Sequence, residues 1–270
     1  MENNNPLFSI ITVSFNSVKT IERTILSVLN QTYKNVEYII IDGGSTDGTV
    51  DIINKYQDKI KYWVSEPDKG ISDAFNKGIL ASHGYIIGII NSDDWYEENA
   101  LETIIKLDKE KNADFYIGAL KYWDKNNVIT EYPDAEYKNK ITYRMTHLNH
   151  PASFFKREVY DEVGLFNLKY KYSMDRDFFV RVSLKNKNGV FTNQVLSNML
   201  ACGLSALNEK ETCREGFLIS TNKTLGLLWY ILSLFKILVK KLLLALGMSK
   251  LIFIAKSFIY NKHNSKTVNP

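Results

Sequence analysis

Two adjacent carboxylates, Asp93 and Asp94, follow an apolar run of the chain and the polar residues Asn91 and Ser92. Like charges this close repel each other, and a divalent cation removes that cost. Such a cation is often held by one or two carboxylates together with substrate phosphates, and it neutralises charge on a departing diphosphate. Taken alone, however, the pair favours a solvated turn that caps a helix predicted near Glu97, because Asp is a good N-cap residue. A metal site therefore needs support from the surrounding sequence.

A second polar segment, Asp42-Gly43-Gly44-Ser45, follows the apolar run of residues 36–41. Glycines let the backbone approach a ligand closely, and an Asp at a strand end can accept hydrogen bonds from a base or a ribose. A plain turn is the alternative interpretation. A dinucleotide fingerprint is excluded, because the glycine spacing is not G-x-G-x-x-G and the segment follows the second predicted strand.

The segments that position these residues alternate between strand and helix over the first hundred residues. Continuous apolar runs predict four strands, and residues at helical spacing predict helices between them. The predicted strands are residues 7–14, 36–41, 60–65 and 85–90. Apolar strands separated by helices indicate a parallel sheet that is covered on both faces. Ligands of such sheets bind beyond the carboxyl ends of the strands, where both polar segments fall.

From about residue 111 the pattern is looser. Residues 114–122 and 128–132 resemble two paired strands, and residues 159–163 and 177–184 have helical spacing.

The C-terminal segment has a different composition. Residues 225–246 are mostly apolar, residues 251–260 continue the pattern, and three lysines interrupt the first run: Lys236, Lys240 and Lys241. A lysine at the centre of a bilayer costs about 2.5–3.5 kcal/mol, whereas at an interface it can meet anionic headgroups. We therefore expect residues 216–270 to form amphipathic helices that associate with a membrane without crossing it. A helix docked on the protein's own core is the alternative.

Four sequence blocks, in this order, resemble the family 2 glycosyltransferases of the GT-A fold. The blocks are IITVSFN, IIIDGGSTDGT, SEPDKGISDAFNKGI and NSDDWY, and the likeness covers about residues 7–205. Within that family, the sequence is similar to enzymes that build bacterial surface polysaccharides of the colanic-acid type. The resemblance implies an α/β fold with a Rossmann-like, mostly parallel sheet and helices on both faces. A GT-A domain would span residues 1–215, with a nucleotide-sugar-binding half at 1–110 and an acceptor half at 111–215.

The resemblance also implies a site for a nucleotide-sugar donor. Asp94 matches the ligand of Mn²⁺ or Mg²⁺, Asp93 matches a residue near the ribose, and Phe15 matches an aromatic ring against the base. Many members carry a second acid after Asp42 that reads the uracil, and this chain has Gly43 there. The other implied substrate-binding residues of this half are Asp42, Asp68, Asp73 and Asn76.

In the acceptor half, Asp175 lies six residues before Arg181, the offset at which the family places its catalytic base. Met174 replaces the Glu that often precedes that base. Asp177 is the rival, although an acid in the first turn of a helix is also favoured by the helix dipole. His150 is an implied contact to acceptor or phosphate, with a structural histidine as the alternative.

The implied reaction is an in-line displacement that inverts the anomeric carbon of a UDP-sugar. Asp175 would take the acceptor proton, a contribution of roughly 10²–10⁴-fold, and the metal on Asp94 would stabilise the leaving nucleoside diphosphate. The implied acceptor is a lipid-linked glycan in surface polysaccharide assembly. A transferase acting on polyprenyl phosphate and a non-catalytic nucleotide-sugar-binding module are the alternatives. A processive synthase is disfavoured, because neither a Gln-x-x-Arg-Trp motif nor a predicted spanning helix is present.

Composition limits the partners and the compartment. The net charge of +4 over 270 residues is too small by itself to indicate nucleic-acid binding. The two cysteines, Cys202 and Cys213, form neither a disulfide framework nor a metal-type spacing. The first residues show no secretory signal. We therefore expect a cytoplasmic protein that is peripheral on the inner face of the cell membrane.

Overall fold

The computed structural model describes residues 7–124, 127–144, 146, 148–201 and 207–248. A nine-stranded sheet forms its centre. The strands are β1 (Phe8–Ser14), β2 (Val36–Asp42), β3 (Tyr62–Ser65), β4 (Ile86–Asn91), β5 (Trp95–Tyr96), β6 (Phe115–Asp124), β7 (Asn127–Glu131), β8 (Ser153–Lys156) and β9 (Gly189–Leu200). The helices are α1 (Ile21–Leu29), α2 (Thr49–Lys55), α3 (Ile71–Ala81), α4 (Ala100–Lys111), α5 (Tyr137–Ile141), α6 (Arg157–Val163), α7 (Met174–Leu184), α8 (Glu209–Ile219) and α9 (Lys223–Ala245).

The four strands predicted in the first hundred residues are confirmed. β1 lies between β2 and β4, and β3 pairs with the far side of β2, all in parallel. The order across the sheet is β3-β2-β1-β4-β8-β6-β9-β5, and β7 pairs with β6. β8 runs antiparallel to both β4 and β6. The sheet is thus mostly parallel, with β5, β7 and β8 antiparallel to their neighbours, which agrees with the predicted α/β fold.

Alternate side chains of the central strands enter two separate hydrophobic cores. Ile11 of β1 packs with residues of α3 and α7 on one face, and Ile10 packs with residues of α1 and α4 on the other. Both side chains are fully buried. Because successive side chains of a strand point to opposite faces, a strand covered on both sides is apolar at nearly every position. This explains the continuous apolar runs in the sequence.

The register of the strands brings their polar ends to one edge of the sheet. Ser14 lies opposite Asp42, and Val13 lies opposite Asn91. Asp42 in turn lies opposite Ser65 at the end of β3. The carboxyl ends of β1 to β4 therefore lie side by side, at the edge where ligands of such sheets bind.

The second half adds elements that the sequence pattern does not predict. The strands expected at residues 114–122 and 128–132 are confirmed as β6 and β7, which pair antiparallel. β8 has only four residues, and β9 contains a polar stretch, so neither shows a clear period. The helix expected at residues 177–184 begins three residues earlier, at Met174, and its first turn therefore contains Asp175.

The C-terminal segment forms the helices α8 and α9. α8 packs against both α7 and α9, and the predicted boundary at residue 215 falls inside α8. Gly226 is the buried residue of α9. Within the described ranges, no helix is both long and apolar enough to pass through a bilayer. The apolar run predicted at residues 251–260 lies outside the described residues.

Two of the lysines in α9 contact neighbouring side chains. Lys236 Nζ lies 5.3 Å from the centre of the Trp229 ring, and Lys240 forms an ion pair with Glu209 of α8. Lys236 is nevertheless exposed, and the side chain of Lys240 is 39% exposed, so the expectation that the lysines meet lipid headgroups stays a prediction. The other side of α9 carries exposed apolar side chains, which we call the outer stripe. It consists of Leu228, Ile231, Phe235, Leu238 and Leu242.

Candidate active site

The carboxylate of Asp42 organises the loop that follows β2. It is fully buried and accepts five hydrogen bonds from neighbouring groups of the protein. The donors are Ser14 Oγ at 2.7 Å, Gly44 N at 3.1 Å, Ser45 N at 2.8 Å, Ser45 Oγ at 2.6 Å and Ser65 Oγ at 2.7 Å. Burial alone would raise the pKa of Asp42, but the hydrogen bonds from Ser45, Ser65 and Ser14 outweigh it and lower the pKa. Asp42 thus fixes the loop, and its oxygens are already engaged.

An exposed aromatic ring and a carboxylate lie on either side of Gly43. Phe15 is 63% exposed, although it follows a completely buried strand. A Cβ placed on Gly43 would lie 3.4 Å from Cδ2 of Phe15 and 2.7 Å from Oδ2 of Asp68. The carboxylate of Asp68 therefore occupies the space that a side chain at position 43 would need. Its Oδ1 accepts a hydrogen bond of 2.7 Å from Gly70 N.

Asp94 is buried with one carboxylate oxygen left without a partner. The residue is 1% exposed, and its Oδ2 lies 3.4 Å from Nδ2 of Asn91. Among the described residues, neither Asp94 Oδ1 nor Asn91 Oδ1 has a hydrogen-bond partner, and both atoms are buried. Burial, and then the neighbouring Asp93, raise the pKa of Asp94 well above its usual value. A buried oxygen without a partner is costly, so this pair of oxygens calls for a ligand.

A divalent cation fits these oxygens. Carboxylate and amide oxygens are the hard ligands that Mg²⁺ and Mn²⁺ take, and a cation would relieve the repulsion between Asp93 and Asp94. The helix-cap alternative fails, because α4 begins only at Ala100 and Asn99 is its N-cap. No cluster of three His, Cys, Asp or Glu residues occurs in the described part of the chain. The protein would therefore hold such a cation jointly with substrate phosphates.

The position of Asp93 is fixed through its backbone. Arg23 Nη2 donates a hydrogen bond of 2.9 Å to the carbonyl oxygen of Asp93, and its guanidinium lies 3.5 Å from the centre of the Trp95 ring. Thr24 Oγ1 donates to the carbonyl oxygen of Asp94 at 2.6 Å. Burial raises the pKa of the Asp93 carboxyl. α1 thus holds the backbone of both acids.

Two residues of α3 are implied to bind substrate, and they differ in the hydrogen bonds that they already make within the protein. Asp73 lies in the first turn, where its Oδ2 accepts a hydrogen bond of 3.1 Å from Lys69 N. Asn76, in contrast, exchanges two hydrogen bonds of 2.8 Å with the backbone of Phe166. Ser72 also donates to the carbonyl oxygen of Tyr170 at 3.2 Å. Asn76 therefore braces α3 against the segment before α7, and its implied role as a substrate contact stays a prediction.

The ring of His150 is packed among aromatic side chains. It stacks on Phe75 with a centroid distance of 5.2 Å and meets the edge of Phe166 at 5.9 Å. Burial lowers the pKa of His150 to about 4, so the ring is neutral at neutral pH. These contacts favour the structural alternative for His150.

The structure separates the two candidate bases, Asp175 and Asp177. Asp177 Oδ2 accepts a hydrogen bond of 2.9 Å from Arg181 Nε, and Arg181 also donates to the carbonyl oxygens of residues 163–165. Asp177 is thus engaged in holding Arg181. Burial raises the pKa of Asp175 to about 6, against the opposing hydrogen bond of 2.7 Å from Arg176 N. A carboxylate with a pKa near neutral is the stronger proton acceptor, and this favours Asp175.

α8 holds the start of α7 in place through Glu215, a residue that the sequence analysis did not identify. The Glu215 carboxylate accepts hydrogen bonds of 2.9 Å from the backbone N–H groups of Lys171, Tyr172 and Ser173. The Arg176 side chain donates to the carbonyl oxygen of Gly216. An added Cβ on that glycine would lie 2.6 Å from Arg176 Nη1. In the sequence, only the adjacent pair Glu215-Gly216 points to this contact, and such a pair is a weak signal without knowledge of the fold.

Comparisons with known proteins agree with this architecture. The model of the family described as glycosyl transferase family 2 matches residues 9–164. An uncharacterised glycosyltransferase of Rickettsia typhi is 31% identical over 240 residues, which cover 81% of this chain and 73% of the relative.

Two solved structures share the fold. S. aureus TarS 1–349 in complex with UDP-GlcNAc has a TM-score of 0.64 at 19% identity, over 80% of this chain and 67% of that one. The mannosyltransferase PcManGT from Pyrobaculum calidifontis, in complex with GDP-Man and Mn²⁺, has a TM-score of 0.62 at 15% identity, over 98% and 84%. With its GT-A fold and its match to the family over more than half of its length, this chain belongs to glycosyltransferase family 2.

Proposed function

We propose that this protein is an inverting, metal-dependent glycosyltransferase that moves a sugar from a UDP-sugar to a hydroxyl of a lipid-linked glycan. The observation that carries the proposal is the pair of buried oxygens without partners, Asp94 Oδ1 and Asn91 Oδ1, at the carboxyl edge of the sheet. Metal-assisted departure of a diphosphate needs such oxygens at this edge.

The donor base would lie against Phe15, whose exposed ring offers a stacking surface at the edge of the sheet. Asp68 would accept a hydrogen bond from the base, because its carboxylate stands beside Phe15 in the space that Gly43 leaves open. TarS binds UDP-GlcNAc and PcManGT binds GDP-Man, so the fold accommodates both nucleotides. A carboxylate can accept the N3–H of uracil, as it can the N1–H and N2–H of guanine, and we take uridine from the family resemblance. The loop ordered by Asp42 would contact the base or ribose through its backbone.

Asp94 and Asn91 would hold Mn²⁺ or Mg²⁺ together with the donor phosphates. When bound, the cation would neutralise the charge that develops on the leaving nucleoside diphosphate. Asp93 and Asp73 would lie near the ribose and the diphosphate, with their backbones held by α1 and by the first turn of α3.

The base of the reaction would be Asp175. Its oxygens would accept the proton of the acceptor hydroxyl as that hydroxyl attacks the anomeric carbon from the side opposite the diphosphate. A single displacement of this kind inverts the anomeric centre and needs no covalent intermediate. The contacts of Asn76 with Phe166 and of Ser72 with Tyr170 would hold the donor half in a fixed position relative to the segment that carries Asp175.

The outer stripe of α9 supports a peripheral location on the inner face of the cell membrane. Five apolar side chains there are exposed, and burying such a stripe in the headgroup region is favourable. We expect the variant Ile231→Ser/Phe235→Ser/Leu238→Ser to lose sedimentation with anionic vesicles. The matched control is Leu80→Ser/Leu184→Ser, which changes two exposed leucines outside α9. Equal sedimentation of the triple variant and the unaltered chain would contradict the anchor.

The proposed reaction is tested by donor turnover. Hydrolysis and transfer of a panel of UDP- and GDP-sugars would be measured with Mn²⁺ and with chelator, with and without glycan acceptors. We expect turnover of a UDP-sugar that stops with chelator and rises with acceptor. Nucleotide-sugar binding without turnover under all these conditions would instead support the non-catalytic module.

A further inference from the structure

A cavity of about 280 Å³ lies between the start of α7 and the two C-terminal helices. Its walls combine aromatic rings with cationic side chains. The aromatic residues are Tyr143, Phe217, Trp229 and Tyr230, and the cationic residues are Arg144, Arg176 and Lys236. In the described part of the chain, no aspartate or glutamate lines the cavity. The residues of the donor edge, including Phe15 and Asp94, are not part of its lining.

The cations of this cavity are gathered around one indole ring. The Arg144 guanidinium lies 5.1 Å from the centre of the Trp229 ring, and Lys236 Nζ lies 5.3 Å from it. Two like charges near one ring repel each other. An anion beside them would offset this repulsion. Lys240, one turn further along α9, shows the contrast, because it is neutralised by Glu209.

Two guanidinium nitrogens at the cavity have no hydrogen-bond partner among the described residues. They are Nε of Arg144 and Nε of Arg176, and both are buried. Arg176 is 4% exposed, and its other nitrogens donate to Gly216, Ile141 and Ser220. Burial lowers the pKa of Arg176 to about 10, against the opposing charge of Asp175, so it stays charged at neutral pH. Buried guanidinium donors at the wall of an open cavity favour an anion as the group that binds there.

The cavity adjoins the proposed base. Ser173 and Arg176, which line it, flank Asp175 on both sides in the first turn of α7. Glu215, the other carboxylate nearby in sequence, is already bonded to three backbone N–H groups. On the far side, the cavity is bounded by α9, whose outer stripe is apolar. An anion in the cavity would thus lie between a catalytic carboxylate and a lipid-facing helix.

We propose that this cavity binds the phosphate or diphosphate group of the acceptor and so places the acceptor hydroxyl near Asp175. The inference rests on the proposed function, because it takes the acceptor to be a lipid-linked glycan. Arginine is well suited to phosphate oxygens, and the aromatic walls suit the first sugar or the first lipid units. The lipid would leave the cavity past α9 and enter the membrane that the outer stripe contacts on the opposite side of this helix.

The test is calorimetric titration of the full chain with farnesyl diphosphate, inorganic pyrophosphate and farnesol. Saturating UDP and Mg²⁺ are present, so that the diphosphate probes do not enter the donor site. We expect farnesyl diphosphate to bind more tightly than pyrophosphate, and farnesol to bind weakly. The variants Arg144→Gln and Lys236→Gln should each weaken farnesyl diphosphate binding about tenfold. The matched control is Lys241→Gln, which should have no effect because Lys241 does not line the cavity.

Unchanged affinity of the double variant Arg144→Gln/Lys236→Gln would overturn the site. Equal affinities for pyrophosphate and farnesyl diphosphate would overturn the assignment to a lipid carrier. If the double variant does not fold, quenching of Trp229 in the unaltered chain, referenced to Trp229→Phe, decides the question, and absence of quenching rejects the site. Donor hydrolysis by the unaltered chain is measured separately. If the chain binds farnesyl diphosphate but hydrolyses no donor, the result counts against the proposed function and still supports the cavity as a binding site.

Discussion

The two carboxylates at the centre of the proposed chemistry, Asp94 and Asp175, are held in different ways. Asp94 lies just beyond β4, and its neighbour Asn91 and the helix α1 fix its surroundings. Asp175 lies in the first turn of α7, which is anchored by Glu215, more than 40 residues further along the chain. The donor edge is thus built from short continuous segments, whereas the base is positioned by a distant helix. Changes at the two sites should therefore separate donor binding from transfer.

The largest effect is expected from Asp175→Asn, which removes the proton acceptor. We expect transfer to fall about 10²–10⁴-fold with donor affinity unchanged, because the amide keeps the shape of the side chain and accepts no proton. Asp177→Asn serves as the control and should have a smaller effect through Arg181. An active Asp175→Asn beside an inactive Asp177→Asn would show that Asp177 is the base.

The pH profile sharpens this assignment. Burial raises the pKa of Asp175 to about 6, and the base acts only when ionised. The kcat/KM for transfer should therefore be constant above this pKa and fall as the pH drops through about 6. Asp177→Asn should keep that acidic limb. A profile that stays flat down to pH 5 would exclude Asp175 as the group that titrates.

Next in size is Asp94→Ala, which removes the carboxylate whose Oδ1 has no partner among the described residues. We expect affinity for UDP in the presence of Mn²⁺ to fall about 100-fold or more, measured by calorimetry. The melting temperature without metal should not fall, because the variant removes a buried oxygen that has no partner. A lower melting temperature together with unchanged affinity would assign Asp94 a purely structural role.

A smaller effect is expected from Glu215→Gln, which tests whether α8 positions the base. The amide can accept fewer of the three hydrogen bonds from Lys171, Tyr172 and Ser173, so the start of α7 should loosen. We expect a loss of about 1–3 kcal/mol in the free energy of unfolding and a fall in kcat with little change in donor affinity. The exposed neighbour variant Glu211→Gln is the control. If Glu215→Gln lowered only donor affinity and left kcat unchanged, α8 would not position the base, and the proposed difference between the donor edge and the Asp175 region would be wrong.

The smallest effect is expected from Asp68→Asn at the donor edge. The amide fills the same space beside Gly43 but has one acceptor oxygen in place of two, so affinity for UDP relative to the unaltered chain should fall about tenfold. The ratio of the two dissociation constants measures this. Asp58→Asn, remote from the loop, serves as the control. An unchanged ratio would show that Asp68 does not read the base.

The donor half could be predicted because its signals are local. The apolar runs of β1 and β4 end where polar residues begin, and parallel strands necessarily align those ends. The same local logic pointed to the pair Asp93-Asp94, and the family resemblance singled out Asp94 within it. Gly43 could be seen to lack the acid that many family members carry, but the nearness of Asp68 depends on the path of a separate loop.

What the sequence determined by itself is therefore the order of strands and helices in the first half, the polar edge, the family and the candidate acids. Only the tertiary structure decided which polar groups are already engaged. Asn76 is engaged by Phe166, Glu215 anchors the segment before α7, and Lys240 is paired with Glu209. The physical reason is that a hydrogen bond between distant segments leaves no period in the sequence. It exists only once hydrophobic packing has brought its two partners together.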